Sequence, residues 1–382
     1  MSKTDLGIYV HIPFCVKKCD YCDFPSGVAS LDEQAYYIRV LKKEIRSFEP
    51  LGNLYRVKTL YFGGGTPSIL DPVQLQRIVD QLKDQYEFAE DAEATIECNP
   101  GTLNEEKLSA YREMGFNRLS IGLQSANNEE LAILGRIHRY QEFEDNYKLA
   151  RKLGFDNINV DLMSALPGQT MDLWKNSLEK VAELEPEHIS AYSLTIEEGT
   201  PFYQKYSTLD GQRMLPTERE DRGMYHFTKE FLEEKGYHRY EISNYAKEGM
   251  ESRHNMTYWN GGSYVGFGLG AASYLNGKRF SNTKDKHEYW EDAKNAYQNY
   301  RLTDAQTEQA TMEEFMFLGL RMMKGISPQE FEEKFHQDFG TIYGRAVEKL
   351  KMQGLLEEEG GRIRLTERGI DVSNQVLVEF LL

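Results

Sequence analysis

The sequence predicts an α/β fold: a partial (β/α)6 barrel followed by a small, winged-helix-like α+β domain. Two observations lead to this class. Six short runs with strand character alternate with longer segments of helical periodicity, an order that right-handed crossovers turn into a parallel sheet. Glycines and polar residues also cluster where several of these runs end, as in barrels that build their sites at the carboxyl ends of the strands. An open doubly wound sheet would instead gather such residues at one crevice.

The predicted strands and helices follow from hydrophobic periodicity. Between the strands, apolar residues recur at helical spacing, as in residues 38–48, 75–86 and 173–181, so that each helix has one apolar face for the sheet. The strands are predicted in LGIYVHI (from Leu6), VKTLYF (from Val57), EATIEC (from Glu93), RLSIGLQ (from Arg118), NINVDLM (from Asn157) and HISAYSL (from His188).

Three parts are expected along the chain. The barrel is assigned to residues 1–245, a connecting segment to 246–302 and the C-terminal domain to 303–382. Late in the barrel part, a helix is expected at Glu218–Glu234, and HRYEISNYA then has the pattern of a strand and turn. The connecting segment is rich in Gly, Tyr and Asn and shows no clear period, so it is expected to be irregular.

The C-terminal part changes character from about Thr303. Helical patterns precede GLLEEEGGRIRLTERG, which has the pattern of a short β-hairpin, and helices followed by a hairpin are typical of a winged helix. Basic residues here are balanced by acidic runs, so a lid or partner surface is favoured over DNA binding. The expected helices are 313–323, Pro328–Phe335 and 342–352.

Composition and charge limit the classes of function. The 382-residue chain has a formal net charge of −16 at pH 7. Because this charge repels a phosphate backbone, nucleic acid is not expected as a partner. The N-terminus lacks the apolar core of a secretory signal, and no apolar run is long enough to cross a bilayer. The four cysteines do not make a disulfide framework, so a reducing, cytoplasmic setting is expected.

Three of the cysteines are clustered. Cys15, Cys19 and Cys22 lie within eight residues in HIPFCVKKCDYCDF, and thiolates suit both zinc and iron–sulfur clusters. Both kinds of site usually take four protein ligands. With three thiolates, one iron of a [4Fe–4S] cube keeps an open position that a small molecule with amine and carboxylate donors can chelate. Zinc with His11 as the fourth ligand is disfavoured, because His11 lies in a predicted strand before a proline.

The spacing Cys15-X3-Cys19-X2-Cys22, with aromatic Tyr21 before the last cysteine, resembles the signature of the radical S-adenosylmethionine (radical SAM) superfamily. The resemblance implies a [4Fe–4S] cluster on these three cysteines, with S-adenosylmethionine bound to the fourth iron through its amino and carboxylate groups. It also implies that the reduced cluster can split the sulfonium to a 5′-deoxyadenosyl radical, which is chemistry of the cofactor. Tyr21 is expected near the adenine.

The same resemblance assigns further S-adenosylmethionine contacts to the barrel rim. The element YFGGGTPS follows the second strand, and its glycines lack the Cβ that would keep main-chain carbonyls from the ammonium group. Carboxylates suit the ammonium, sulfonium or ribose, and a guanidinium suits the ligand's carboxylate. Taken singly, polar residues at strand ends could instead bond only to neighbouring loops. The predicted contacts are Tyr9, Tyr21, Gly64, Gly65, Thr66, Glu97, Gln124, Arg136 and Asp161.

Further motifs resemble the HemN/HemW subfamily, which contains oxygen-independent coproporphyrinogen oxidases and related haem chaperones. These motifs include GLQS, LGRIHR, VDLMSALPGQT and HISAYSLTIEEGTPF, and the resemblance runs from about Gly7 to the C-terminus. Two features favour the chaperone branch. Phe24 stands where oxidases commonly have another cysteine, and the sequence opens a few residues before the first strand, where oxidases carry a longer segment for substrate handling. No catalytic residue is assigned.

A haem-binding motif is expected in RHNMTYWNGG. His254, Asn255, Tyr258 and Trp259 match an HNxxYW motif that is linked to haem binding in the chaperone branch. Imidazole is a good axial ligand for haem iron, although a lone histidine is more often an ordinary hydrogen-bonded residue. Haem contact by these residues is expected without direct ligation being assumed. Ala272 stands where many relatives have a histidine.

The sequence therefore predicts a chaperone on a radical SAM scaffold that receives haem and passes it to an acceptor protein. Coproporphyrinogen oxidation, with loss of carboxyl groups from propionates, is the alternative, and a zinc-stabilised binding protein is a third. The acceptor is not identified and could be membrane-associated. An electron donor is expected if the cluster is redox-active, and both a monomer and a dimer stay open.

Overall fold

The computed structural model describes residues 3–294, 301–304 and 307–382. Residues 295–300, at the end of the predicted connecting segment, and 305–306, at the start of the predicted C-terminal domain, lie outside the described residues. In the described part of the chain, no helix combines the length and apolarity that a bilayer crossing requires.

Six parallel strands alternate with helices in the first part of the chain. Each strand pairs in parallel with the next one in the sequence, so the predicted (β/α)6 arrangement is confirmed. The strands are β1 (Thr4–Ile12), β2 (Tyr55–Gly64), β3 (Glu87–Cys98), β4 (Arg118–Gln124), β5 (Ile158–Ser164) and β6 (His188–Ser193). The helices between them are α1 (Leu31–Ser47), α2 (Pro72–Gln85), α3 (Glu105–Met114), α4 (Asn128–Ile133), α5 (Tyr140–Lys152) and α6 (Met171–Ala182).

Side chains along these strands alternate between the helix layer and the barrel interior. On β2, Phe62 is buried and packs edge-on against Phe116 in the main core. Its neighbour Tyr61 points the other way and donates its hydroxyl to Glu97 on β3. This alternation explains why polar residues recur within runs that are otherwise apolar: they line the interior that leads to the rim.

The sheet continues beyond β6 with an antiparallel pair. Helix α9 begins after Thr217, whose side chain forms a capping box with Glu220, and it spans the predicted range. The added elements are α7 (Pro201–Tyr206), α8 (Leu209–Gln212), α9 (Glu218–Glu234), β7 (His238–Glu241) and β8 (Asn244–Ala246).

The segment that the sequence left irregular forms the other side of the same sheet. Strand β9 pairs in parallel with β1, and the strand order becomes β12-β11-β10-β9-β1-β2-β3-β4-β5-β6-β8-β7. The elements are α10 (Arg253–Trp259), β9 (Tyr264–Phe267), β10 (Ala272–Leu275), β11 (Lys278–Ser281), α11 (Lys286–Lys294) and β12 (Arg301–Asp304). Each of these strands has four residues, too few for an alternating pattern to stand out.

A second apolar core lies in the C-terminal part, with Phe331, Tyr343 and Val376 among its fully buried members. Helices followed by a two-stranded hairpin confirm the predicted winged-helix-like order. The first helix differs from the predicted 313–323: it begins earlier, after the N-cap Thr307, and ends before Met322. The elements are α12 (Glu308–Arg321), α13 (Pro328–Phe335), α14 (Phe339–Met352), β13 (Leu356–Glu359), β14 (Arg362–Leu365), α15 (Glu367–Asp371) and α16 (Ser373–Val378).

Polar contacts join the C-terminal part to β7. The Met323 main-chain N–H donates to the Tyr240 carbonyl at 3.0 Å. The guanidinium of Arg239, buried on β7, donates to both carboxylate oxygens of Glu367 at 2.8 and 3.0 Å. Because charge-assisted hydrogen bonds are stronger than neutral ones, this pair holds α15 against the barrel.

Candidate functional site

A cavity of about 530 Å³ opens at the carboxyl ends of the parallel strands. Its wall contains the loop after β1 together with residues near the ends of β2, β3, β4, β5 and β6. The structure thus brings the rim positions of six successive strands to one place, as the barrel argument requires.

The three clustered cysteines lie in this wall and are half-buried. The Thr66 hydroxyl donates to the sulfur of Cys15 and Arg136 Nη1 to the sulfur of Cys19, each at 3.6 Å. Within the described ranges, no three His, Cys, Asp or Glu side chains converge as the ligands of a single metal ion do. The thiolates that hold a [4Fe–4S] cube each bind a different iron, and three cysteines beside an open cavity suit such a cluster.

His11, weighed above as a zinc ligand, lies outside the cavity wall. Its ring is buried: Nε2 donates to the Pro25 carbonyl at 3.2 Å and Nδ1 accepts from the Tyr9 hydroxyl at 3.0 Å. Burial lowers the pKa of His11 to about 4, so the ring is neutral near pH 7. With both nitrogens engaged, His11 acts as a structural link between β1 and the cysteine loop.

Two half-buried carboxyl groups, those of Glu97 and Asp161, face the cavity from β3 and β5. Glu97 Oε1 accepts from the Tyr61 hydroxyl at 2.9 Å and Oε2 from the Gly64 N–H at 3.0 Å. Burial and then the charge of Asp161 raise the pKa of Glu97 to about 7. Burial also raises the pKa of Asp161, against hydrogen bonds that include one from Asn159 at 2.8 Å. A cationic ligand between these groups would restore their ionised forms.

A half-buried guanidinium, that of Arg136, supplies the opposite charge. Arg136 Nη2 donates to Asn99 Oδ1 at 2.7 Å and also to the Gly122 carbonyl, which fixes the side chain at the cavity wall. Asn99 in turn donates to the Thr66 hydroxyl at 2.8 Å. Carboxyl groups on β3 and β5 together with this guanidinium make the cavity complementary to a zwitterion such as an amino acid.

Backbone conformation at the rim is unusual at two predicted positions. Gly64 has φ +110, and a Cβ there would lie 2.4 Å from Cε1 of His11. Position 64 therefore requires glycine because any side chain there would collide with His11 of β1, whether or not a ligand also approaches. Gln124 has φ +73 and follows an irregularity in the pairing of β4 with β5. Strain of this kind costs on the order of 1 kcal/mol and is found preferentially at functional sites.

Eight of the nine predicted S-adenosylmethionine contacts line the cavity. The exception is Tyr9, which lies behind the wall, stacked on Tyr61 with ring centroids 6.2 Å apart. The sequence reasoning missed Tyr61 and Asn99. Asn99 could have been found from its chain position, because it directly follows Cys98, the last residue of β3. Glu97 was selected for lying near the same strand end. The ligand roles of all these residues stay predictions.

The HNxxYW motif lies toward the amino ends of the strands, away from this rim. Both carboxylate oxygens of Glu93 accept main-chain N–H bonds at 3.0 Å from the first two residues of α10. The His254 side chain enters the barrel and is only 1% exposed. Its Nδ1 is hydrogen-bonded to the Thr59 hydroxyl at 2.8 Å and its Nε2 to the Tyr258 hydroxyl at 2.7 Å. His254 therefore anchors α10, and the haem contacts predicted for this motif stay a prediction.

Comparison with known proteins agrees with this architecture. Residues 9–181 match the model of the radical SAM superfamily, and residues 306–372 match that of the HemN C-terminal domain. The solved structure of coproporphyrinogen III oxidase (HemN) from Escherichia coli, a radical SAM enzyme, superposes with a TM-score of 0.85 at 25% identity, over 99% of this chain and 90% of that one.

Similarity to curated proteins extends along the whole chain. The heme chaperone HemW of Lactococcus lactis is 38% identical over 100% of this chain and 99% of its own length. HemW of Bacillus subtilis is 36% identical over 98% of each chain. The chain therefore belongs to the HemW family of the radical SAM superfamily, and membership of that superfamily implies a [4Fe–4S] cluster and S-adenosylmethionine as cofactors.

Proposed function

We propose that this protein is a haem chaperone that binds haem and transfers it to an acceptor protein, in the cytoplasm. The observation that carries the proposal is full-length similarity to proteins named heme chaperone HemW. Phe24 supports it from the site: this residue, 57% exposed, lies in the cavity wall where the oxidase branch commonly has another cysteine.

Cys15, Cys19 and Cys22 would hold the [4Fe–4S] cluster, which supplies an open iron position when bound. Around it, Glu97 and Asp161 offer negative charge to an ammonium or sulfonium group, and Arg136 offers positive charge to a carboxylate. The other predicted contacts that line the cavity, Tyr21 among them, would shape the wall and exclude water from the ligand.

Analysis of anaerobically purified protein tests the cofactor assignment. We expect iron and sulfide in nearly equal amounts, and their loss in Cys19→Ser but not in Cys98→Ser, because Cys98 is a buried core residue outside the cluster. S-adenosylmethionine binding, measured by equilibrium dialysis, should weaken in Glu97→Gln. Zinc without sulfide in the wild-type protein would reject the radical SAM assignment of the site.

Titration with haemin tests the chaperone function itself. We expect a saturable Soret band for the reconstituted protein and, on addition of an apo-haem protein, movement of that band to the acceptor spectrum. If no saturable binding occurs, the chaperone proposal fails.

Coproporphyrinogen oxidation is the second candidate, and the similarity to HemN over nearly the whole chain favours it. An anaerobic assay with a reductant, S-adenosylmethionine and coproporphyrinogen separates the two functions. Formation of protoporphyrinogen by the wild type, and not by Cys19→Ser, would establish the oxidase activity. We expect no product above the Cys19→Ser background.

A further inference from the structure

A second large cavity, of about 570 Å³, lies between α10, β7 and the segment that follows α12. Its volume is within the range of roughly 300–1,000 Å³ typical of small-molecule sites. We propose that the haem cargo docks in this cavity, with His238 as the candidate axial ligand. This inference rests on the proposed haem function and identifies where on the protein haem binds.

The cavity wall is rich in methionine. Met256 of α10 and the consecutive Met322 and Met323 all line it, together with Tyr240. Met322 and Tyr240 belong to a small apolar cluster separate from the main core, and Met256 packs against that cluster. Thioethers are polarizable and adapt to irregular shapes, so this wall suits a large, flat, apolar macrocycle that must be held and then released.

His238 provides a ligand for iron in the same wall. Its side chain is 41% exposed, and Nε2 lies 2.7 Å from Glu251 Oε1. Among the described residues, none forms a hydrogen bond with Nδ1. Metal-bound imidazoles commonly donate their second N–H to a carboxylate, so Glu251 is placed to orient the ring for axial coordination through Nδ1. His254, in contrast, has both nitrogens engaged inside the barrel.

Two exposed cationic side chains line the cavity, beside the carboxylate of Glu251. Arg253 and Lys324 line it, and both residues are exposed. Lys324 donates to the neutral side chain of Asn260 at 3.0 Å, and Arg253 pairs with the exposed Asp91 at 3.3 Å. Haem carries two propionates, and cations at a solvent-exposed edge can meet them without burying charge.

Helix α10 connects this cavity to the HNxxYW motif. His254 and Tyr258, four residues apart, share the face that enters the barrel. Met256, Thr257 and Asn260 line the cavity from another face of the same turn. His254 and Tyr258 thus anchor the helix from inside the barrel, while Met256, Thr257 and Asn260 supply the surface proposed to contact haem.

Haemin titration of reconstituted variants, followed at the Soret band, tests the site. We expect Met323→Gln to weaken haem binding about tenfold, through loss of apolar contact, and His238→Ala to change the axial-ligand spectrum as well as the affinity. Met352→Gln and His287→Ala serve as matched controls. Met352 is 83% exposed, and neither residue lines the cavity.

Lys324→Glu gives a second test that does not depend on the apolar wall. We expect weaker haem binding at low salt and a smaller difference from the wild type at high salt, with unchanged far-UV circular dichroism. If wild-type protein binds haem and all three cavity variants bind it as the controls do, the site is overturned while the chaperone function stands. If wild-type protein binds no haem, the chaperone function itself fails.

Discussion

At the residue scale, the carboxyl group of Glu97 links the stability of the cofactor-free protein to pH. Its pKa in the folded state is about 7, against 4.5 as the ordinary value. The folded protein therefore binds more protons than the unfolded chain between these pH values, and this group lowers stability as pH rises from 4.5 to 7.

We expect Glu97→Gln to remove that pH dependence. The free energy of unfolding of the wild type, relative to the variant, should fall by roughly 3 kcal/mol across this window. Urea denaturation at a series of pH values measures it, and Glu348→Gln is the control, since Glu348 is 70% exposed on α14. Parallel pH profiles for the wild type and Glu97→Gln would contradict the assignment.

His254 is expected to contribute to stability whether or not haem is present. Replacement by alanine removes a buried ring and its two hydrogen bonds with the hydroxyls of Thr59 and Tyr258, and should cost about 2–4 kcal/mol in the free energy of unfolding. Tyr258→Phe removes only one of those bonds and should cost about 1 kcal/mol. Chemical denaturation of the haem-free protein measures both; a His254→Ala variant as stable as the wild type would show that the ring is not an anchor.

The sequence predicted many of the residues at the cavity rim, but fewer of the residues that hold them in place. Glu97, Gln124 and Asp161 could be selected because chain position alone places a strand end at a rim. The orientation of His254 could not be predicted, because the same motif fits a helix with either face toward the barrel. Tyr61 was missed because an aromatic residue within a strand is more often core.

At the element scale, the six longer strands β1 to β6 were predictable, and the four-residue strands β9 to β12 were not. Long strands such as β2 and β4 carry enough residues for their pattern to exceed chance. β9 forms by pairing with β1, which lies more than 250 residues earlier in the chain. Its stability comes from that partner, and no local pattern encodes it.

The turn between α12 and α13, which pairs with β14 through Ile326 and Ile363, depends on one glycine. Gly325 has φ +65, and a Cβ there would lie 2.1 Å from the Ile363 carbonyl oxygen. We expect Gly325→Ala to destabilise the protein by more than about 1 kcal/mol, because the new methyl group collides with β14. Gly344→Ala in the middle of α14, where nothing lies within 4 Å, should instead stabilise it by about 0.5–1 kcal/mol. Urea unfolding followed by circular dichroism compares the two, and a similar loss in both would refute the argument.

At the scale of the whole molecule, Arg239 and Glu367 hold the C-terminal part to the barrel. The Arg239 side chain is 3% exposed, and that of Glu367 is 46% exposed. Glu367→Gln leaves a buried guanidinium without its carboxylate and should cost about 1–3 kcal/mol.

Hydrogen exchange locates this effect. We expect faster exchange in α15 and α16 of Glu367→Gln, and little change in Glu379→Gln, which breaks an exposed pair with Lys349 worth less than about 1 kcal/mol. If hydrogen exchange changed uniformly across the barrel, the Arg239–Glu367 pair would not stabilise α15 and α16 locally.

The ring of His254, stacked on Tyr61 at 5.0 Å, occupies the lumen between the two cavities. Along β2, Thr59 stands five residues before Gly64, a separation of roughly 16 Å. The two cavities share no lining residue, so their ligands reach them separately. An acceptor that collects haem at the cavity proposed above would therefore leave the cavity of the three cysteines accessible to an electron donor.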